Sequence, residues 1–154
     1  MNLLIGSSSK SAQEIWARAG DVGRFGLIGS ALCLPLTRRN WNGAFDAATA
    51  ILATSAICKA IKPLAPERRP DGENNDSFPS QHAAESFAAA LALRRHFGDG
   101  TGLIAVAAGT AVAMSRLFAR KHFVHDIVAG IAIGTATTIV VELCAASGTS
   151  TIRA

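Results

Sequence analysis

Aromatic side chains are scarce: seven Phe and two Trp make up 6% of the 154 residues, and tyrosine is missing altogether. Charge is scarce too, at 17% Asp, Glu, Lys and Arg, against about 25% in an average soluble domain. No window of about 18 residues, the length that a membrane helix asks for, is free of charge. Gly100–Ser115 and Ile127–Val141 come closest. Cysteine is limited to Cys33, Cys58 and Cys144, an odd set without metal-ligand spacing. Their apolar surroundings predict small buried hydrophobes. Met1 to Lys10 has a short apolar start but neither a charged leader nor a proper apolar run, so a cleavable signal peptide is not expected. The net charge of +4 comes from cations spread among hydrophobic segments. With few aromatics to stack bases, that pattern excludes a nucleic-acid surface and favours anionic headgroups or phosphate esters.

What the chain has in quantity is Ala, Gly and apolar residues, 49% hydrophobic in all, which suits helices packed backbone to backbone. The length sets a single domain over 1–154. Five apolar stretches read as helices, at 22–37, 42–61, 81–97, 101–118 and 123–146, behind a short amphipathic segment near 10–19 within an N-terminal stretch 1–21. Breakers separate them: Arg38-Arg39-Asn40 with Trp41, the charged and Pro-rich stretch Pro63–Pro79, and Gly98-Asp99-Gly100. Mean hydropathy is +0.29, and five such segments are hard to bury in one water-soluble core of this size. The expected fold is all-α: a membrane-embedded bundle of five to six helices with its active site at one end. A soluble all-α bundle is the alternative.

Three islands within 62–126 carry chemistry. The first holds Lys62 and Arg69-Pro70, the second Pro79-Ser80-Gln81-His82, and the third Ser115-Arg116, His122 and Asp126. Asp126 follows His122 by one helical turn and can fix the imidazole tautomer, leaving the other nitrogen as nucleophile or base. Arg116 carries a planar fork suited to phosphate oxygens. Ser80 and His82 stand where a helix begins, a position that favours an anion, and His82 can protonate a leaving oxygen. Taken singly, each island also reads as ordinary structure: a His–Asp contact at a helix start, a Ser cap, a solvated basic cluster. Tracing the helices up and down puts all three at one end of the bundle, where together they can bind, attack and protonate a phosphoryl group.

These islands resemble the three-part signature of the type 2 phosphatidic acid phosphatase superfamily, which includes lipid phosphate phosphatases and vanadium-dependent haloperoxidases. Lys62, Arg69 and Pro70 match its first part with the right spacing; Ser115, Arg116, His122 and Asp126 match its third. Gln81 stands where the family has Gly, which would strain the loop if a positive φ were needed there, although the Gln side chain can add a donor. The resemblance implies metal-independent hydrolysis of a phosphate or diphosphate monoester on a membrane lipid, through a phosphohistidine and without a cofactor. Lys62, Arg69, Ser80, Gln81 and Arg116 would hold phosphate; His122 would attack, steadied by Asp126; His82 would act as acid and then base. The substrate classes it implies are polyprenyl diphosphates, phosphatidylglycerol phosphate, phosphatidic acid and polyprenyl-linked sugar phosphates. A soluble acid phosphatase or vanadate-binding oxidase of the same superfamily, and a non-catalytic lipid-binding scaffold keeping the pocket, are the rival readings. Partners are then the lipid phosphate and the bilayer, with oligomeric state left open.

Other residues have plainer readings. His125 lies off the His122 face, and His96 belongs to a basic loop at the opposite end. Lys121 and Arg120 are solvated, Glu85 is placed to modulate His82, and Trp16 and Trp41 mark membrane boundaries. Arg38, Arg39, Arg94, Arg95 and Arg153 cluster away from the site. The site face carries comparable numbers of Lys and Arg, so charge does not set the orientation; the resemblance to bacterial members implies a plasma-membrane protein with its site facing outward.

Overall fold

A computed structural model describes residues 9–151, and Arg153 lies outside that range. Five helices make up the architecture: α1 (Lys10–Thr37), α2 (Trp41–Ile61), α3 (Gln81–Phe97), α4 (Asp99–Phe118) and α5 (Val124–Thr151). No extended strand occurs among the described residues; the one β-bridge pairs Glu67 with Asp76 in the long loop before α3.

The amphipathic segment expected at 10–19 does not stand apart from the helix after it. α1 runs unbroken for 28 residues through Gly20 and Asp21. A single helical Gly costs only about 1 kcal/mol, and no proline lies at this junction. Ser9 caps its start by accepting a hydrogen bond from the Ala12 N–H, and Asn40 does the same for α2 at Gly43. The other expected breakers are tighter than the sequence indicated. Gly98 alone links α3 to α4 at φ +86°, and Arg39 and Arg120 take φ of 54° and 56° in the α1–α2 and α4–α5 turns. Trp41 opens α2 rather than breaking the chain.

α3 is the axle. It packs against each of the other four helices, while α1 also touches α2 and α4, and α5 also touches α2. Ala83, Ala84, Ala88, Ala89, Ala90 and Ala92 are all buried, so neighbours approach its backbone closely. The closest approach is from α5. A Cβ placed on Gly134 would lie 2.1 Å from the Ala84 carbonyl oxygen, and one on Gly130 would lie 2.4 Å from that of Ser80. Small residues thus set α5 against the start of α3, as in other membrane helix pairs.

The outward faces are apolar. Val22, Phe25, Phe45, Leu52, Leu103, Ile104, Val128 and Val140 are exposed on the four outer helices. Trp41–Ile61, Asp99–Phe118 and Val124–Ser147 are each long and apolar enough to cross a membrane. The helical, membrane-type bundle read from the sequence is the one found. Cys58 is buried as expected, but Cys33 and Cys144 are exposed, on outer apolar faces rather than in the core. Trp16 lies against Phe118 with ring centroids 5.0 Å apart, near the end of α4, whereas Trp41 stands at the opposite end of the bundle.

Candidate active site

The end of α2, the start of α3, the end of α4 and the start of α5 meet at one end of the bundle, and the loop 62–80 covers it. That loop is tied to itself by Glu67 N–H to Asn75 O, Arg69 N–H to Asn74 O and Ser77 N–H to Glu67 O bonds. It is tied to the α4–α5 turn by Lys121, whose ammonium lies 2.9 Å from Asp71 and 2.6 Å from Glu73. Lys121 therefore serves as a clamp rather than as a solvated cation.

Asp126 is fully buried, and its carboxylate organises the α5 end. Oδ2 accepts hydrogen bonds from Ser77 Oγ at 2.5 Å and from the Phe123 amide at 2.7 Å, and lies 3.5 Å from His122 Nδ1. The Asp126 carbonyl accepts from the Ser80 amide at 3.0 Å, which joins the second and third islands directly. His122 is buried, and burial lowers its pKa from the ordinary histidine range. Asp126 opposes that shift, whereas the positive charges of Arg69 and Arg116 reinforce it. Burial thus favours the neutral ring, with Nδ1 toward the carboxylate and Nε2 left as the free ring nitrogen.

The cations surround this pair, each with an internal partner. Lys62 donates to the carbonyls of Asp76 and, at 3.3 Å, Pro79; burial lowers its pKa as well. Arg69 Nε lies 3.0 Å from Asp76 Oδ1. Arg116, at the end of α4, is buried and donates to the Ala17 carbonyl at 3.0 Å. Its charge bears on both His82 and His122. Ser80 is fully buried, and its hydroxyl has no hydrogen-bond partner and does not cap α3. An unpartnered hydroxyl beside the free amides of a helix start is a donor set suited to an anion.

Gln81 departs from expectation. It is the first residue of α3 and does not take a positive φ, so the backbone there is unstrained. Its side chain does not add a donor to the site. It turns into the bundle, giving hydrogen bonds to Ser55 at 2.9 Å and to Glu85 at 2.6 Å. Glu85 pairs in turn with Arg24 at 3.2 Å, and not with His82.

The partner of His82 was not legible in advance. Its Nε2 lies 2.6 Å from the carboxylate of Asp21 on α1, which also sits 3.4 Å from Arg116. Ser77 was equally missed. A serine in a Pro-rich loop and an acid in an amphipathic segment carry no spacing signal toward partners so far along the chain. His125, expected to be peripheral, touches the site edge. Its Nε2 lies 2.9 Å from Glu67 and 3.1 Å from Asp126 Oδ1, and its ring stacks on Phe123. Glu67, His125 and Asp126 are the one group of ligand-type atoms among the described residues close enough to hold a metal ion, and His125 already bridges the two carboxylates. His96 lies at the far end, as expected, but in the last turn of α3 and half-buried rather than in a solvated loop.

Comparison with known proteins accords with this geometry. The chain is 34% identical over 122 residues to the decaprenylphosphoryl-5-phosphoribose phosphatase of Mycobacterium tuberculosis, in strains CDC 1551 and H37Rv alike, across 73% of this chain. It spans 65% of the length of those relatives. In three dimensions it resembles the crystal structure of Aquifex aeolicus LpxE, with a TM-score of 0.75 over 90% of each chain at 18% identity, a likeness of fold. The PAP2 superfamily profile matches residues 56–147, more than half of the chain and inclusive of every motif position from Lys62 to Asp126. A five-helix bundle with those motifs gathered at one end, matched over that span, belongs to the PAP2 superfamily.

Proposed function

We propose that this chain is a lipid phosphate phosphatase that works through a phosphohistidine, with residues 1–154 acting as one membrane domain. The observation that carries the proposal is the meeting of the buried His122–Asp126 pair with His82 and three cations at a helix N-terminus. Lys62, Arg69 and Arg116 grip the phosphate oxygens, exchanging internal partners for substrate, and Ser80 Oγ with the amides at Gln81 completes the cradle. His122 Nε2 attacks phosphorus in line, and Asp126 stabilises the imidazolium that forms. His82 protonates the departing oxygen and then activates the water that cleaves the phosphorus–nitrogen bond. Fixed cations supply the charge stabilisation that Mg²⁺ gives in kinases, so the reaction proceeds without metal.

Of the substrate classes implied by the sequence, polyprenyl-linked sugar phosphates come first, because the mycobacterial relatives are named for one. Polyprenyl diphosphates, phosphatidylglycerol phosphate and phosphatidic acid share the same headgroup chemistry. The apolar outer faces give the lipid tail a place to lie, and the bacterial plasma membrane, with the site facing outward, is the proposed location. Gln81 does not mark a decayed pocket, since its side chain is engaged elsewhere and its backbone is regular.

The test is phosphate release from a headgroup-resolved panel of lipid phosphates by detergent-purified protein, with EDTA present. His122→Ala is expected to lower turnover by more than about 10³-fold, and brief exposure to ³²P-labelled substrate should leave acid-labile, alkali-stable label on the wild-type protein. No release by the wild type, or undiminished release by His122→Ala, would defeat the proposal.

A further inference from the structure

The PAP2 match covers residues 56–147 and leaves α1 unassigned, yet α1 sends a carboxylate into the site. Gly20 makes this possible. A Cβ there would stand 2.3 Å from Ser115 Oγ and 2.9 Å from Arg116 Nη1, so glycine lets the α1 backbone lie against the end of α4 without displacing those side chains. Arg116 fastens the same turn through its 3.0 Å bond to the Ala17 carbonyl. The next residue, Asp21, is thereby presented to His82 at 2.6 Å and to Arg116 at 3.4 Å, with its own side chain half exposed.

We propose that Asp21 is a positioning residue for the reaction, holding the Nε2 edge of His82 so that Nδ1 exchanges the proton with the leaving group and the water. This rests on the phosphohistidine reading above. A carboxylate only accepts, so at 2.6 Å the proton of the contact sits on Nε2. The tautomer of His82 is then fixed, and Nδ1 is the nitrogen left to react. Burial is the largest influence against an imidazolium at this ring, and the facing charges of Arg116 from α4 and Arg24 from α1 add to it. Asp21 is the carboxylate that opposes them.

The steps balance as follows. At rest the His82 ring is neutral, so the ester binds as its monoanion and gives its proton to Nδ1, and the phosphate product carries one away at the end. As the His122 Nε2–phosphorus bond forms, the bond from phosphorus to the leaving oxygen breaks. That oxygen keeps the electron pair and takes the proton from His82 Nδ1–H. His82 is now neutral, and Nδ1 carries a lone pair. Water attacks phosphorus, gives its proton to Nδ1, and the phosphorus–nitrogen pair returns to His122. Asp21 keeps the Nε2 proton in place throughout. The site thus holds two His–Asp pairs: one buried behind the nucleophile, and one reachable by solvent behind the acid.

The experiment compares wild type and Asp21→Asn on two esters: dioctanoyl phosphatidic acid, whose alkoxide must be protonated to leave, and p-nitrophenyl phosphate, whose phenolate need not be. General acid catalysis is worth about 10²- to 10⁴-fold. The expected result is a fall of about 10- to 100-fold in kcat on the lipid ester and less than about 3-fold on the aryl ester. An equal fall on both would mark a structural role and overturn the proposal, as would no fall. Wild-type protein inactive on both esters would overturn the phosphatase reading, and this one with it. If Asp21→Asn fails to fold, ¹⁵N chemical shifts of histidine-labelled wild-type protein decide, with the His82 signals assigned by their loss in His82→Gln. A neutral ring protonated on Nε2 is expected, and one protonated on Nδ1 would overturn the proposal.

Discussion

At the scale of single residues, the site depends on what stands behind each reacting group. Ser77 is the clearest case, because its hydroxyl is given wholly to the buried Asp126 carboxylate. A hydrogen bond to a charged group contributes about 1.5–3 kcal/mol, and about 1.4 kcal/mol is tenfold in rate. Ser77→Ala should therefore lower kcat by roughly 10- to 100-fold with little change in KM, as steady-state kinetics would show; an unchanged kcat would remove Ser77 from the machinery. The pH profile is set at its acid limb by His122. A base whose pKa is lowered stays neutral to lower pH, so kcat/KM should hold below about pH 6.5, the ordinary histidine value, and fall only as the ring finally takes a proton. A limb centred above that value would contradict the burial seen at His122. Lys62 has a lowered pKa too, so on an aryl phosphate, which needs no acid, the alkaline limb should begin below the usual lysine range and move up in Lys62→Arg. How much of this was legible follows the same division. Lys62, Arg69, His82, Arg116, His122 and Asp126 stood out because the residue types and intervals that handle phosphate recur in order. Ser77 and Asp21 did not, because their partners lie 49 and 61 residues away and no local interval encodes such a pair.

At the scale of helices, glycine marks contact rather than flexibility. The 2.1 Å approach of Gly134 to the Ala84 carbonyl leaves no room for a side chain. Gly134→Val should cost about 1–3 kcal/mol through overpacking, lower the Tm in detergent and lower activity as α5 moves Asp126 away from Ser80. Gly26, by contrast, has nothing within 4 Å of its missing Cβ, so Gly26→Ala should leave the Tm unchanged or raise it by the propensity gain. Equal Tm shifts in the two variants would refute the close-packing account. Element boundaries were readable where a proline or a charged stretch breaks the pattern, as at 62–80. The single α1 helix was not, since Gly20-Asp21 looks like a stop in isolation, whereas in the fold the helix runs on through it and Gly20 packs on the end of α4.

At the scale of the whole molecule, the exposed large apolar residues lie on the four outer helices, apart from Leu64 and Phe123 in the connections at the site end, and none is exposed on α3 among the described residues. Three helices of 20 to 24 residues meet the length of a hydrocarbon core. The protein should accordingly remain in the membrane pellet through alkaline carbonate and high salt, and leave it only in detergent. Recovery in the carbonate supernatant would point to the soluble alternative. Charge-interrupted runs hid this in part. Asp46, Glu85 and Arg94 break the hydropathy of their segments, and two of them find a partner within the fold: Glu85 with Arg24 and Arg94 with Asp99.

The alanine axle has a consequence for how such a chain can diverge. The six buried alanines of α3 offer no rotamers through which to relax, and almost any exchange at them can only enlarge a side chain. Variation is therefore steered outward, to the exposed apolar faces, so that a lineage can change its outer surface while the floor beneath the gathered motifs stays as it was.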